Sequence, residues 1–209
     1  MSHPTVPHPT ILAIVGATAP ASLEAASTAL LVIDFQNEYF SGKMPIPNGL
    51  AALSNAQRLI ALADRHGMPV YHVQHVTPSG APIFAEDGET VAFHRDIRPA
   101  THHKVVRKSQ VSVFQGTDIA AQLTAAGVKT LVIAGLMTHA CVSGAARDAA
   151  PAGFEVIVAG DACATRDIDA PGGGTVTHDV LHRAALVTIA DTFGVVMNTG
   201  AIVELPVRK

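Results

Sequence analysis

The chain has 209 residues, 48% of them hydrophobic, 15% charged and 4% aromatic, with no Trp, two Cys and a formal charge of −3. That length favours one large domain with an ample core, and high apolar content at low net charge excludes intrinsic disorder. Two cysteines cannot staple so long a chain, and a pI near 6.4 gives no general pull on phosphate backbones. A disulfide scaffold and a nucleic-acid partner are therefore both excluded.

Thr10 to Ala21 (TILAIVGATAPA) is an apolar run ending in small residues, the outline of a signal peptide. The preceding MSHPTVPHP carries no Lys or Arg, and the run is shorter than the ~20 residues that span a bilayer. Residues 1–27 read as an N-terminal arm, stiffened by Pro4, Pro7 and Pro9, that packs on its own or a neighbouring subunit. The expectation is a cytoplasmic protein, without membrane attachment, whose residues 28–209 form a single domain.

Ala29–Phe35 (ALLVIDF) is an unbroken apolar run of strand length, as expected where both faces are covered. Pro47–His66 carries leucines and an isoleucine at helical spacing and stops at Gly67. Pro69–Val76 is a second strand, followed by a long irregular segment, 77–103. Lys104–Arg107 is a short strand, Thr117–Ala126 a helix, Lys129–Ala134 a buried strand and His139–Ala150 a helix of small residues. Phe154–Ala159 is another strand, Val176–Ala185 a helix and Leu186–Ile189 the last strand. This alternation predicts an α/β fold, a three-layer α/β/α sandwich with a parallel, Rossmann-like sheet of about six strands.

In such sheets chemistry gathers outside the carboxyl ends of the strands, so polar residues that follow an apolar strand become candidates. Asp34 ends the first strand; it either caps a turn or presents a partly desolvated carboxylate. Lys108 leaves the short strand and is either a solvated cation or part of a site. Cys141, in AGLMTHAC, falls at the start of the helix after Gly135. There the free amides and the helix dipole would lower a thiol pKa and could hold an oxyanion. The alternative is a buried structural cysteine.

Together LLVIDFQNEYF, VVRKSQVSVFQGTDI and LVIAGLMTHACVSGAARDA resemble the isochorismatase-like cysteine hydrolases, from about Ala29 to Thr199. That family includes nicotinamidases, N-carbamoylsarcosine amidohydrolases and ureidoacrylate amidohydrolases. The resemblance implies Asp34 as general base, Lys108 as the triad lysine and Cys141 as nucleophile. It also implies a cis peptide at Leu136–Met137 and an oxyanion hole built from the N–H groups of Met137 and Cys141. The implied reaction cleaves a C–N bond through a thioester, in a homo-oligomer, dimer or tetramer. The family's vinyl-ether hydrolases lack the cysteine, and its metal-binding nicotinamidases carry an Asp-x-His pair that VYHVQHVTPSG does not contain. No catalytic metal and no cofactor are expected, and the partner is a small amide.

Further candidates line the substrate. Gln36 follows Asp34 by two residues, and His75 ends the second strand. Phe84, Glu86 and His94 belong to the long segment, whose length marks it as functional. Phe114 is either a pocket wall or plain core, and Thr138 and His139 precede the thiol. Cys163 reads as a packed thiol. Gly172–Gly174 form neither GxGxxG nor a P-loop, which argues against a nucleotide-binding oxidoreductase. A non-catalytic binding protein of the same fold stays open as a second reading.

Overall fold

The structure, a computed structural model, describes residues 7–209. Pro4 of the expected arm lies outside them. Six parallel strands form the central sheet: β1 (Thr28–Ile33), β2 (Val70–His75), β3 (Lys104–Lys108), β4 (Thr130–Leu136), β5 (Glu155–Ala164) and β6 (Val195–Met197). Their spatial order is β3-β2-β1-β4-β5-β6, so the winding direction reverses between β1 and β4. The helices are α1 (Gly49–His66), α2 (Ile119–Ala125), α3 (Ser143–Ala149), α4 (His178–Thr192) and α5 (Thr199–Val203).

Every residue of β1 is buried, which explains why it reads as one apolar run rather than an alternation. Its side chains still divide by parity. Leu30 and Val32 join Leu53, Leu59, Leu62 and Ile202 from α1 and α5. Leu31 and Ile33 join Ile119, Leu123, Ala145 and Ile189 from α2, α3 and α4. Two cores, one on each face, thus clamp the sheet between helical layers. Helix α1 closes where Gly67 turns left-handed at φ 69° and caps Ala63 and Asp64.

Two sequence expectations are corrected. Leu186–Ile189 is not a strand but the continuation of α4, and the last strand is Val195–Met197. The β-branched run Val187–Ile189 mimics a strand, yet Ala185 and Ile189, four residues apart, turn one helical face into the core. The other concerns β5, which continues to Ala164 instead of stopping at Ala159. Opposite Ala134 the register jumps from the Ile133–Val158 pair to the Gly135–Cys163 pair, a bulge that carries β5 up beside the end of β4.

Segment 77–103 is folded back on the strand ends by two short 3-10 turns, Glu89–Val91 and Arg95–Ile97, and by bridges Gln36–Phe93 and Thr77–Ala85. In the arm, a helical turn at Ile11–Ile14 lies on α4, with the Ile11 N–H donating to Asp191 Oδ1 at 2.9 Å. Leu23–Glu24 pairs in parallel with Val207–Arg208. No helix among the described residues is long and apolar enough to cross a membrane.

The reversal point leaves little room. A Cβ on Gly135 would stand 2.6 Å from Ile33 Cβ and 2.8 Å from the Ile33 carbonyl oxygen. Gly135→Ala should therefore wedge β4 off β1 and cost about 1–3 kcal/mol. Urea unfolding should show this as a lower midpoint with an unchanged m-value.

Candidate active site

The strand ends around the reversal point bring Asp34, Lys108 and Cys141 together. Asp34 leaves β1 with φ 55°, a left-handed conformation that Asp tolerates better than most residues. Its N–H still bonds to the Val73 carbonyl at 3.0 Å, which holds the residue against β2. Lys108 is the last residue of β3, in register with His75. Its Nζ lies 2.8 Å from Asp34 Oδ2 and donates to Cys141 Sγ at 3.3 Å, to His75 Nδ1 at 2.9 Å and to the Gln110 carbonyl at 3.3 Å. Asp34 is 0% exposed, Lys108 3% and Cys141 5%, so these charges interact with little screening by water.

Burial pushes the Asp34 carboxyl above its ordinary range, and the Lys108 ammonium offsets this only in part. Burial and then the Asp34 charge push the Cys141 thiol up to about 12. The expected lowering by a helix terminus is thus corrected. Cys141 sits in a wide π-type turn, Thr138–Val142, ahead of α3, and desolvation there outweighs any dipole. His75 is pushed down to about 4 by burial and by Lys108, so it is neutral and accepts from the ammonium. The Leu136–Met137 peptide is cis.

Donor atoms of Asp34, His75 and Cys141 lie within 4.8 Å of one another, a spacing that would suit a metal. The Lys108 ammonium already touches all three, however, and a metal ion would have to displace it. A second cluster, Asp64, His102 and His103, is equally close. There the Ala100 N–H donates to His103 Nδ1 at 3.1 Å, so the ring proton sits on Nε2 and points at Asp64 Oδ1, 2.9 Å away. The lone pair that would bind a metal is not available. His72 is fully buried, with Nε2 3.1 Å from His103 Nδ1.

The remaining candidates divide. His75 meets the triad directly, and Phe84, buried with φ 53°, packs 5.0 Å from its ring and edge-on to Tyr39 at 5.2 Å. Gln36 clamps main chain on two neighbouring segments. Its Nε2 donates to the carbonyls of His75 and Val91, at 2.8 and 2.7 Å, while its Oε1 accepts from the His75 N–H. The strand has already ended at Ile33, so simple alternation does not carry Gln36 to the same side as Asp34. Thr138 bonds to His182 Nδ1 on α4 at 2.8 Å, and His139 Nδ1 to Thr165 Oγ1 at 2.6 Å. Glu86 is exposed, with its N–H on the Thr77 carbonyl, and Phe114 packs on Phe154 at the start of β5. Neither makes a hydrogen bond or ring contact with a triad residue among the described residues. His94 packs tilted against Phe40, ring centroids 4.4 Å apart.

Two residues near the triad escaped the sequence reading. Tyr39, buried, feels the charges of Cys141 and Asp34, and burial above all holds its hydroxyl well above the ordinary range. Arg166 follows β5, and the rule that exposed Asp34 would have flagged it had the strand been carried to Ala164.

A buried Asp, Lys and Cys on three carboxyl-end segments of a parallel sheet is a hydrolase-like constellation, and residues 28–201 match the isochorismatase domain. The chain belongs to the isochorismatase family. The family protein YddQ of Bacillus subtilis is 36% identical over 85% of this chain and 99% of its own length. The maleamate amidohydrolase of Pseudomonas putida is 33% identical over 71% of this chain and 82% of its own. An isochorismatase crystal structure from P. putida superposes with a TM-score of 0.86 at 28% identity, covering 94% of this chain and all of that one, 100%. Hydrolases of amides are thus among the relatives of this isochorismatase-family chain.

Lys108→Met would leave the Asp34 carboxylate buried without its cation and should cost about 3–5 kcal/mol of folding stability. The double variant Asp34→Asn, Lys108→Met should recover part of that loss. Denaturant titration of the three proteins in parallel decides it.

Proposed function

We propose that this chain is an amidohydrolase that cleaves the C–N bond of a small amide, lactam or ureido compound through a thioester on Cys141. The observation that carries the reading is the Lys108 ammonium, 2.8 Å from Asp34 and 3.3 Å from Cys141, in a site sealed from water. The amidohydrolase among the relatives supports it.

Burial holds the Cys141 thiol well above the ordinary range, which disfavours a preformed thiolate. Asp34 therefore takes the proton as sulfur attacks the carbonyl carbon, and Lys108 pairs with the developing charge on sulfur. The N–H groups of Met137 and Cys141 hold the oxyanion. When the tetrahedral adduct collapses, Asp34 returns its proton to the departing amine or ammonia. Asp34 then draws a proton from water, which attacks the thioester and frees the acid, and the thiol recovers its hydrogen. A carboxyl whose pKa burial has raised suits both directions of transfer. His75 and Gln110 fix the ammonium as acceptors, and Gln36 fixes His75.

The reaction runs without a metal in this reading, because the ammonium lies among Asp34, His75 and Cys141, the triad-side cluster that could ligate one among the described residues. Exposed Ile11, Ile14 and Val15 of the arm, with Val180 and Val187 of α4, support a homo-oligomer.

Cys141→Ala should remove at least 1,000-fold of the turnover of a small amide, while the wild type shows an acyl adduct on Cys141 by mass spectrometry with a slow substrate. Chelator-treated protein should keep its full rate. Turnover in the alanine variant would remove Cys141 from the mechanism, and activity lost to chelator and restored by zinc would put a metal-dependent reading in its place. The pH profile supplies a second test. Asp34 must be ionised to accept the thiol proton, so kcat/KM should fall as pH drops through its pKa. Because burial raises that pKa, the acid limb should lie above the ordinary carboxylate value of about 3.9.

A further inference from the structure

A cavity of about 460 Å³ lies between the 3-10 turn Asn37–Tyr39, the start of α1 and the turn Arg95–Ile97, and its size suits a small molecule. No triad residue lines it. Tyr39, which feels the charges of Cys141 and Asp34, is not in its wall, whereas Phe40 is. Neighbours in sequence, they face different sites.

The lining divides by chemistry. Phe40, Ile46, Pro47 and Leu50 give it apolar surface, and Leu50, in the first turn of α1, is 63% exposed. His94, Arg95 and Arg98 supply donors, and no carboxylate lines the cavity among the described residues. Arg98 is exposed and joins none of the ion pairs among the described residues. Arg95 reaches only Asp96, at 3.6 Å, with a side chain 82% exposed. His94 Nδ1 accepts from the Asp96 N–H at 3.3 Å, so the neutral ring carries its proton on Nε2, which has no partner among the described residues.

Two guanidinium groups without a close carboxylate, set beside apolar side chains, have a definite complement. Their planar forks match a carboxylate. Phosphate or sulfate would satisfy the forks and leave Phe40, Ile46 and Leu50 bare, whereas a hydrocarbon body attached to the acid would cover them. The Phe40 and His94 rings, tilted at 47°, add aromatic surface.

We infer that this cavity binds small carboxylic acids, as anions with an aromatic or aliphatic body. The carboxylate meets Arg95, Arg98 and His94 Nε2, and the body lies on Phe40, Ile46 and Leu50. Binding here does not depend on what the triad hydrolyses. The cavity wall is nonetheless tied to the catalytic strand end: the His94 N–H donates to the carbonyl of Phe35, beside Asp34, at 2.8 Å, and the Asn37 N–H to the Ala92 carbonyl at 2.9 Å.

The test titrates the isotope-labelled full chain with phenylacetate and follows the backbone amide signals of 37–41 and 94–98 by NMR. Exposed guanidinium contacts are weakened by water, so the expected Kd is about 1 mM. The double variant Arg95→Gln, Arg98→Gln should bind at least about tenfold more weakly. Phenethyl alcohol, which lacks the charge, and inorganic phosphate, which lacks the body, should each bind at least about tenfold more weakly than the acid. Leu50→Asp, which sets a like charge at the cavity while favouring the helix start, should weaken phenylacetate as well. No saturable shift of those amides up to about 20 mM acid would overturn the site. So would a double variant that binds as well as the wild type, because the acid then sits elsewhere. Equal binding of phosphate or of the alcohol would overturn the ligand class. Should the double variant fail to fold, Leu50→Asp decides, and undiminished binding there overturns the site.

Discussion

An ion pair between Lys108 and Asp34, wholly enclosed by the sheet and its loops, sets the terms for everything around it. A lone carboxylate at the end of β1 would be driven to its neutral form by desolvation, and a lone ammonium at the end of β3 would be no easier to bury. Held 2.8 Å apart, each permits the other, and the thiol of Cys141 is placed within reach of both. The cost of that enclosure appears in the direction of the shifts. The carboxyl and the thiol are both harder to ionise than in water.

The sheet makes this arrangement available cheaply in backbone. Since β1 and β4 wind in opposite directions from their common border, a crevice opens at their carboxyl ends, and residues far apart in sequence meet there. Asp34 bends out of β1 in a left-handed conformation, Lys108 arrives along β3, and Cys141 arrives in the turn beyond β4. His75 occupies the gap on β2 between them and, being neutral, gives the ammonium a further acceptor without adding negative charge.

Much of this was legible in the residues. Strands covered on both faces announce themselves as apolar runs, and ALLVIDF and KTLVIA do so plainly. Asp34 and Lys108 stood out because each ends a strand, and Cys141 because it lies in the turn between the KTLVIA strand and the next helix. What was not legible depends on contacts distant in sequence. Val187–Ile189 looks extended until the packing of Ala185 and Ile189 against α3 and the sheet makes it helical. The bulge in β5 depends on pairing with β4, and without it Arg166 reads as a loop residue. The ionisation of Cys141 was misjudged because helix position is local, whereas burial is set by the whole enclosure. Gln36, two residues from Asp34, shows the same limit: a positive φ breaks the alternation that spacing alone would predict.

Gln36 has a consequence for how this scaffold diversifies. Its amide holds only main-chain atoms, the carbonyls of His75 and Val91 and the N–H of His75. This link between the covering segment and the strand ends is one that the segment's own side chains do not make. Where residues along 77–91 differ, this main-chain tether to the strand ends stays in place.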